Sequence, residues 1–383
     1  MGVGAVTRSV LISGAGIAGP ALAYWLDKAG IRAVIVERAA APRPGGQAID
    51  IRGVALEVIE RMGLLVAARE LRTQMRGFST VDGDGKELWR SENMTLTGGV
   101  IDNPDIEILR DDLSNLLIEA LPADTEIIFG EDIAQISDGD DGVAVKFASG
   151  AVRHFDLVIG ADGIGSRVRS WVFGDDAQFL HSLNFALAIF SAPNHVELKD
   201  WQVSCRDGAQ NCLVYPVRDN RELRVCIGFP IALADVLRLD LDAQKALVAS
   251  EADGLGWEVP RLLAAMNSAP DFYLGAVAQV KMPSWTQGRV ALLGDAAFCP
   301  SPFSGQGTSL ALVGAYVLAR ELARTPADFA AAFSRYEARM CPFVDLNQAI
   351  VDVSRDGGLS EEEGLARALA VVENAKNAIV LNQ

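Results

Sequence analysis

The chain has 383 residues, with 34 Lys plus Arg against 50 Asp plus Glu, a net charge of −16. This acidity argues against a nucleic acid or an anionic membrane as partner, because both require a basic face. Half of the residues are hydrophobic and 22% are charged, a globular composition whose length suits two or three packed units.

Ser9 to Ser13 is a short buried-strand run that breaks at Gly14-Ala15-Gly16 and resumes as a helical pattern through Leu26. Pro20 falls in the helix's first turn, where its missing N–H costs little. Gly30 stops the helix, and Ala33 to Val36 is a second strand ending at Glu37. Together these form a βαβ unit of about 30 residues. Arg8 followed by apolar residues imitates a signal peptide, but the regularly spaced glycines mark structure rather than an address.

Farther on, Phe78 to Val81 and Glu87 to Trp89 flank Asp82-Gly83-Asp84-Gly85, a hairpin signal. Val143, Val145 and Phe147 alternate, turn at Ser149-Gly150 and return. Leu213 to Tyr215 and the alternating Leu223, Val225, Ile227 and Phe229 flank a turn at Arg218-Asp219-Asn220. The stretch from about 175 to 285 therefore predicts antiparallel sheet. Arg289 to Leu293, a Gly-rich loop and a helix from about Thr308 return to the α/β style. The apolar run Leu310 to Ala319 is half of the roughly 20 residues that a membrane span needs. Ser360-x-x-Glu363 is a capping box that opens a helix with Leu365, Leu369, Val372 and Ile379 on one stripe.

The expected fold is α/β. A Rossmann-like dinucleotide-binding domain with a parallel sheet takes residues 1–77, 100–175 and 285–330. A substrate domain built on a mostly antiparallel sheet takes 78–99 and 176–284, and 331–383 form C-terminal helices. The five Cys make no C-x-x-C pair, which predicts reduced thiols and a cytoplasmic location. The three His, at 154, 181 and 195, have no ligand-like spacing, which argues against a zinc site. A monomer or homodimer is expected.

Three segments carry chemistry. The first is Gly14-x-Gly16-x-x-Gly19 between strand and helix, with Glu37 closing the next strand. Gly14 permits a tight turn, Gly16 admits a pyrophosphate to the backbone and Gly19 lets helix and strand pack closely. The helix N-terminus then faces phosphate, and Glu37 can accept from ribose hydroxyls. This pattern predicts a dinucleotide without separating FAD from NAD. The second segment runs from Asp156 to Arg169 and carries Asp162-Gly163 at a strand's carboxyl end; Asp162 serves a ligand or caps a helix. The third is Gly294-Asp295-Ala296-Ala297-Phe298, followed by Pro302, Gly305, Gln306 and Gly307. Its helix N-terminus offers unpaired N–H groups and partial positive charge, suited to the N1–C2=O edge of a reduced flavin.

In this order and spacing the three segments resemble the group A flavoprotein monooxygenases, the family of para-hydroxybenzoate hydroxylase. Gly45-Gly46-x-x-x-Asp50, Asp102-Asn103-Pro104 and Arg110-x-x-Leu113 resemble the tetracycline-inactivating and polyketide-modifying hydroxylases within it. The resemblance implies non-covalent FAD, NADPH as reductant, and a flavin C4a-hydroperoxide formed with O2 that hydroxylates an aromatic phenol or enol. It implies that Glu37 holds the adenosine ribose, that Arg38, Asp50, Arg110 and Asp295 contact FAD, and that Pro302, Gly305 and Gly307 lie by the isoalloxazine. Arg43 is a candidate for the NADPH phosphates or a solvated surface cation. No catalytic side chain is assigned, because the flavin is the reagent. Three positions depart from the family pattern: Phe298 replaces the usual His, Ser309 the usual Asn and Gly314 a usual Asp. A halogenase or reductase of the same fold, or a ligand-binding module without turnover, are the alternatives. Gly256-Trp257-Glu258-Val259-Pro260 lacks the second Trp of the halogenase motif.

Overall fold

The computed structural model describes residues 9–236, 239–353 and 361–382; Arg8 and the capping residue Ser360 lie outside them. Val10, Leu11 and Ile12 are fully buried in the strand Ser9–Ser13 (β1), and the chain turns at Gly14 into the helix Ala18–Lys28 (α1). Gly30, at φ 71°, ends this helix as expected, and Arg32–Glu37 (β2) lies parallel to β1. Next come Ala48–Ile51 (β3), the hairpin of Phe78–Val81 (β4) and Glu87–Ser91 (β5), and Ile106–Leu109 (β6). The helix Arg110–Glu119 (α2) and the strand Glu126–Phe129 (β7) follow. Ile133–Gly139 (β8), Gly142–Phe147 (β9) and Val152–Phe155 (β10) form an antiparallel sheet of their own. Leu157–Gly160 (β11) and the helix Arg167–Val172 (α3) close this half.

The middle of the chain supplies longer strands: Leu180–Pro193 (β12), Gln202–Asp207 (β13), Gln210–Val217 (β14) and Glu222–Pro230 (β15). Helices Leu241–Glu251 (α4) and Val259–Met266 (α5) precede Tyr273–Val280 (β16). Thr286–Gln287 (β17), Val290–Leu292 (β18), the short helix Asp295–Phe298 (α6) and the helices Gly307–Arg324 (α7), Phe329–Val353 (α8) and Glu361–Lys376 (α9) complete the chain.

Two sheets organise these elements. The first has six strands in the order β17-β18-β11-β1-β2-β7, parallel except for the β17–β18 pair. The second has seven in the order β16-β12-β15-β14-β13-β4-β5, antiparallel except where β4 joins β13 in parallel. The parallel sheet, the antiparallel sheet and the C-terminal helices are those expected from the sequence.

The second sheet has two apolar faces. Ala186, Ala188, Phe190, Val225 and Ile227 pack with Leu262 and Met266 of α5. On the other face Leu213, Tyr215 and Val217 meet Ala48 and Leu109 from the β3–β6 ladder. Two hydrogen bonds tie that ladder and the loop before it to the sheet: Ala48 N–H donates to the Tyr215 hydroxyl at 2.8 Å, and Arg224 Nε donates to the Gly46 carbonyl at 2.9 Å. The contact fixes how the large sheet stands over the loops leaving the parallel strands. Among the described residues no helix is long and apolar enough to cross a membrane, and no cluster of His, Cys, Asp and Glu could hold a metal ion.

Candidate active site

The loop after β1 is shaped by close approach. A Cβ on Gly19 would lie 2.0 Å from the Gly14 carbonyl oxygen, and one on Gly14 would lie 2.4 Å from the Ala161 carbonyl oxygen. Any side chain at either position would push backbone from backbone. A Cβ on Gly16 would instead point into open space. Two glycines therefore pack the turn, and the third keeps its outer face clear for a ligand at the N-terminus of α1. Glu37 fastens this loop from the end of β2: its carboxylate accepts from Ala15 N–H and from Ala39 N–H, each at 2.9 Å. A carboxylate has about four lone-pair sites, so acceptor capacity remains for ribose hydroxyls.

A groove beside the loop is lined by Ala15, Gly16, Glu37, Arg43, Arg110 and Ser114. Gly45 and Gly46 bring its far wall close: Gly45 N–H donates to Asp111 at 3.0 Å, and a Cβ on Gly46 would sit 3.2 Å from Arg110 Cβ. Neither the Arg110 nor the Arg43 guanidinium makes an ion pair among the described residues. Burial first, and the Arg43 cation second, push the Arg110 pKa below its ordinary value. Two cations without ion-pair partners beside a helix N-terminus form an anion site, and a pyrophosphate matches their charge and fork geometry. Arg38 lies exposed after β2, outside the lining of this groove.

The Gly294-Asp295 turn lies beside the N-terminus of α1. Gly294, at φ 63°, has its Cβ position 3.1 Å from Ala18 Cβ, so the turn abuts the first turn of α1. Burial raises the Asp295 pKa above the usual carboxylate range. Asp295 Oδ1 lies 3.6 Å from the Cβ position of Gly307, which places the carboxylate at the N-terminus of α7. Gln306 caps that helix and is fully buried, yet neither atom of its amide has a partner. The first-turn N–H groups of α7 also have no intrahelical acceptors. Pro302 is exposed on this loop, and Gly305 sits at its left-handed corner, φ 63°.

Arg52, which the sequence reading passed over, lies against this loop. Three atoms of its guanidinium are 3.3 Å from the Cβ position of Gly305. Its Nη2 donates to Asp50 at 2.9 Å and to the Thr97 carbonyl at 3.3 Å, while its buried Nε has no partner. Burial pushes the Asp50 pKa up to about 7, against the pull of Arg52 and with the help of Glu107 and Asp105. The Ser309 hydroxyl accepts from Arg52 N–H at 3.0 Å and so holds the backbone of that residue.

Ser166 is the N-cap of α3, accepting from Arg169 N–H at 3.0 Å, and Asp162 supports the same helix end. Asp162 accepts from Arg167 N–H at 2.9 Å, from Val168 N–H at 3.2 Å and from the Ser166 hydroxyl. Gly163 beside it, φ 82°, opens onto free space. Fully buried Arg169 joins this segment to the third one, donating to the Ala296 carbonyl at 2.9 Å and the Ile164 carbonyl at 2.6 Å. The unusual Phe298 and Gly314 are one feature. A Cβ on Gly314 would lie 3.1 Å from Phe298 Cζ and 3.0 Å from Leu293 Cδ1, so the bare helix face makes room for the ring. Phe298 is buried there against Trp285, with centroids 4.8 Å apart.

An elongated dinucleotide fits this line of residues: an acid at Glu37, unpaired cations at Arg43 and Arg110, and unmet polar groups at Gln306 and Arg52. FAD has the corresponding ribose, pyrophosphate and polar ring edge. Across from the ring end, Phe303 of the loop meets Phe185 of β12 edge-on at 5.4 Å, with Leu213 and Cys226 on the same face of the large sheet. That arrangement leaves a mixed apolar and polar surface facing the loop.

The chain matches the FAD binding domain family over residues 7–202 and 273–339, more than half its length. It is 46% identical to uncharacterized protein Rv1260 of Mycobacterium tuberculosis (strain ATCC 25618 / H37Rv) over 351 residues, covering 92% of this chain and 94% of that one. A flavin-dependent monooxygenase of Legionella longbeachae serogroup 1 (strain NSW150) is 38% identical over 384 residues, covering 98% of this chain and 97% of the other. The crystal structure of tetracycline destructase Tet(51) superposes with a TM-score of 0.90 at 35% identity, covering 99% of this chain and all of that one.

Proposed function

The chain belongs to the FAD-binding-domain family of flavin-dependent monooxygenases, and from that premise we propose that it uses NAD(P)H and O2 to hydroxylate an aromatic or polycyclic phenol or enol. The balanced reaction is substrate–H + NAD(P)H + H⁺ + O2 giving substrate–OH + NAD(P)⁺ + H2O. The observation that carries this reading is the line of residues from Gly16 and Arg110, past Asp295, to Gln306 and Arg52, whose buried side-chain amide and Nε have no partner in the protein. Bound there, FAD supplies the two-electron chemistry with NAD(P)H and O2.

In this reading residues 1–77, 100–175 and 285–330 hold FAD, and 78–99 with 176–284 shape the substrate pocket. Arg43 and Arg110 bind the pyrophosphate, Glu37 accepts from ribose, and Asp295 and the N-terminus of α7 orient the ring end. Phe185, Phe303 and Leu213 exclude water from the space above the ring. The likeness to tetracycline destructases supports a polycyclic antibiotic or polyketide as the substrate class. NADPH is expected to bind weakly and transiently, because one Gly-x-Gly-x-x-Gly turn with its acid serves FAD and no second set is present in the sequence.

The test is NAD(P)H oxidation by the FAD-loaded protein with a panel of tetracyclines, anthraquinones and simple phenols, followed by product mass. Acceleration by a polycyclic ligand with a gain of one oxygen atom is the expected result. Oxidation unaffected by every ligand, with all the reducing power appearing as peroxide, would refute the hydroxylase reading.

A further inference from the structure

We propose that Arg52 is a flavin-contacting residue whose guanidinium, fixed over Gly305, faces the ring of bound FAD and stabilises the negative charge that the ring acquires on reduction. The inference rests on the FAD reading above and adds a residue to it. Geometry sets the direction of the cofactor. Its phosphates belong at the first turn of α1, and the Gly294-Asp295 turn that abuts that turn leads to the N-terminus of α7. A dinucleotide laid this way ends at Gln306 and Gly305, where the Arg52 guanidinium lies.

Arg52 is 8% exposed and held from three sides. Its N–H is bonded to Ser309, its Nη2 to Asp50 and to the Thr97 carbonyl. Thr97 is itself held by the large sheet, because the Gln202 side-chain amide donates to the Thr97 hydroxyl and Gln202 Oε1 accepts from Leu96 N–H at 2.7 Å. The cation is thus clamped with Cζ, Nη1 and Nη2 against the loop at Gly305, while its buried Nε–H has no acceptor in the protein. A buried donor without a partner is costly, and an acceptor arriving with a ligand removes that cost. Two electrons and one proton added to the oxidised ring leave one negative charge on its N1–C2=O edge. A clamped cation in a water-poor site favours that state without having to reorganise.

The test compares FAD-loaded wild type, Arg52→Lys and Arg52→Gln. Sulfite adds to the oxidised ring and leaves the same negative charge, so its affinity, read from loss of visible flavin absorbance, reports the local field. The midpoint potential is measured in parallel against a reference dye. Arg52→Gln should weaken sulfite binding about tenfold and lower the potential by about 30 mV, the equivalent of a tenfold shift for a two-electron couple. Arg52→Lys should retain most of both. Asp50→Asn, compared with wild type above pH 8 where the Asp50 carboxyl is ionised, removes the charge that offsets the cation and should shift both quantities the opposite way, and it decides the matter if the Gln variant does not hold FAD. Unchanged sulfite affinity and potential in Arg52→Gln, or a shift in Asp50→Asn with the sign of charge loss, overturns this inference alone. A wild-type protein that takes up no FAD overturns the FAD reading and this inference with it.

Discussion

Arg110→Met separates a cofactor contact from a structural cation, because the two roles predict opposite signs. Methionine keeps an unbranched stem against Gly46, whose Cβ position lies 3.2 Å from both Cβ and Cδ of Arg110, and removes the guanidinium. That guanidinium has no ion pair, and burial and Arg43 together disfavour its charge. Without FAD the substitution therefore relieves repulsion, and the melting temperature should stay level or rise. With FAD it removes a charge-assisted hydrogen bond of about 1.5–3 kcal/mol. The FAD dissociation constant should accordingly rise by roughly 10- to 150-fold. Titration followed by flavin fluorescence measures the affinity, and thermal melts of the cofactor-free protein measure the stability. Raising the ionic strength should narrow the gap between wild type and variant, since the lost term is a charge attraction. An FAD affinity within threefold of wild type, or a cofactor-free variant melting well below it, would refute the assignment.

The glycines of the first loop predict a contrast: Gly19→Ala should cost about 3 kcal/mol or more by forcing backbone from backbone, whereas Gly16→Ala should melt like wild type and bind FAD more weakly. Equal melting temperatures for the two variants would contradict the packing account. Gly314→Ala overpacks Phe298 and Leu293 by about 1–3 kcal/mol, offset by about 1 kcal/mol of helix propensity. In a Phe298→Leu background that cost should shrink by at least about 0.5 kcal/mol, and strictly additive urea midpoints would reject the pairing. Asp50 makes stability pH-dependent. Its folded pKa, about 7, lies above the ordinary carboxyl value of 3.8, so its contribution is fully present below pH 4 and is lost as pH rises through 7. The loss is on the order of 4 kcal/mol. Asp50→Asn should flatten the melting temperature between pH 4 and 7, and an unchanged slope would show that another group sets it.

What the sequence revealed follows the range of the interactions. Gly14, Gly16, Gly19 and Glu37 fall within one βαβ unit, so spacing alone predicts their turn, and the hairpins at Asp82 and Arg218 are equally local. The parallel pairing of β4 with β13 joins residues more than 100 positions apart and leaves no local pattern. Arg52 escaped notice for the same reason: its partners Thr97, Gly305 and Ser309 come from two distant segments. A signal existed in Asp50-Ile51-Arg52-Gly53, where two opposite charges sit two apart on a buried strand end. Asp162 reads as ligand or cap from sequence because both roles want an acid at a strand's end, and its bonds to Arg167 and Val168 show it supporting the helix end that Ser166 caps. Phe298, Ser309 and Gly314 look like losses one at a time. In the fold Phe298 fills the space over Gly314, and Ser309 holds the backbone of Arg52.

The central claim is that this groove is an FAD site, and equilibrium titration of the purified protein with FAD tests it most directly. Bound and free flavin are separated by filtration, and the bound fraction is released by acid and identified. The account predicts a yellow protein that saturates at one FAD per chain, with the flavin released intact and therefore not covalently attached. A colourless protein that takes up no FAD at any concentration would contradict it.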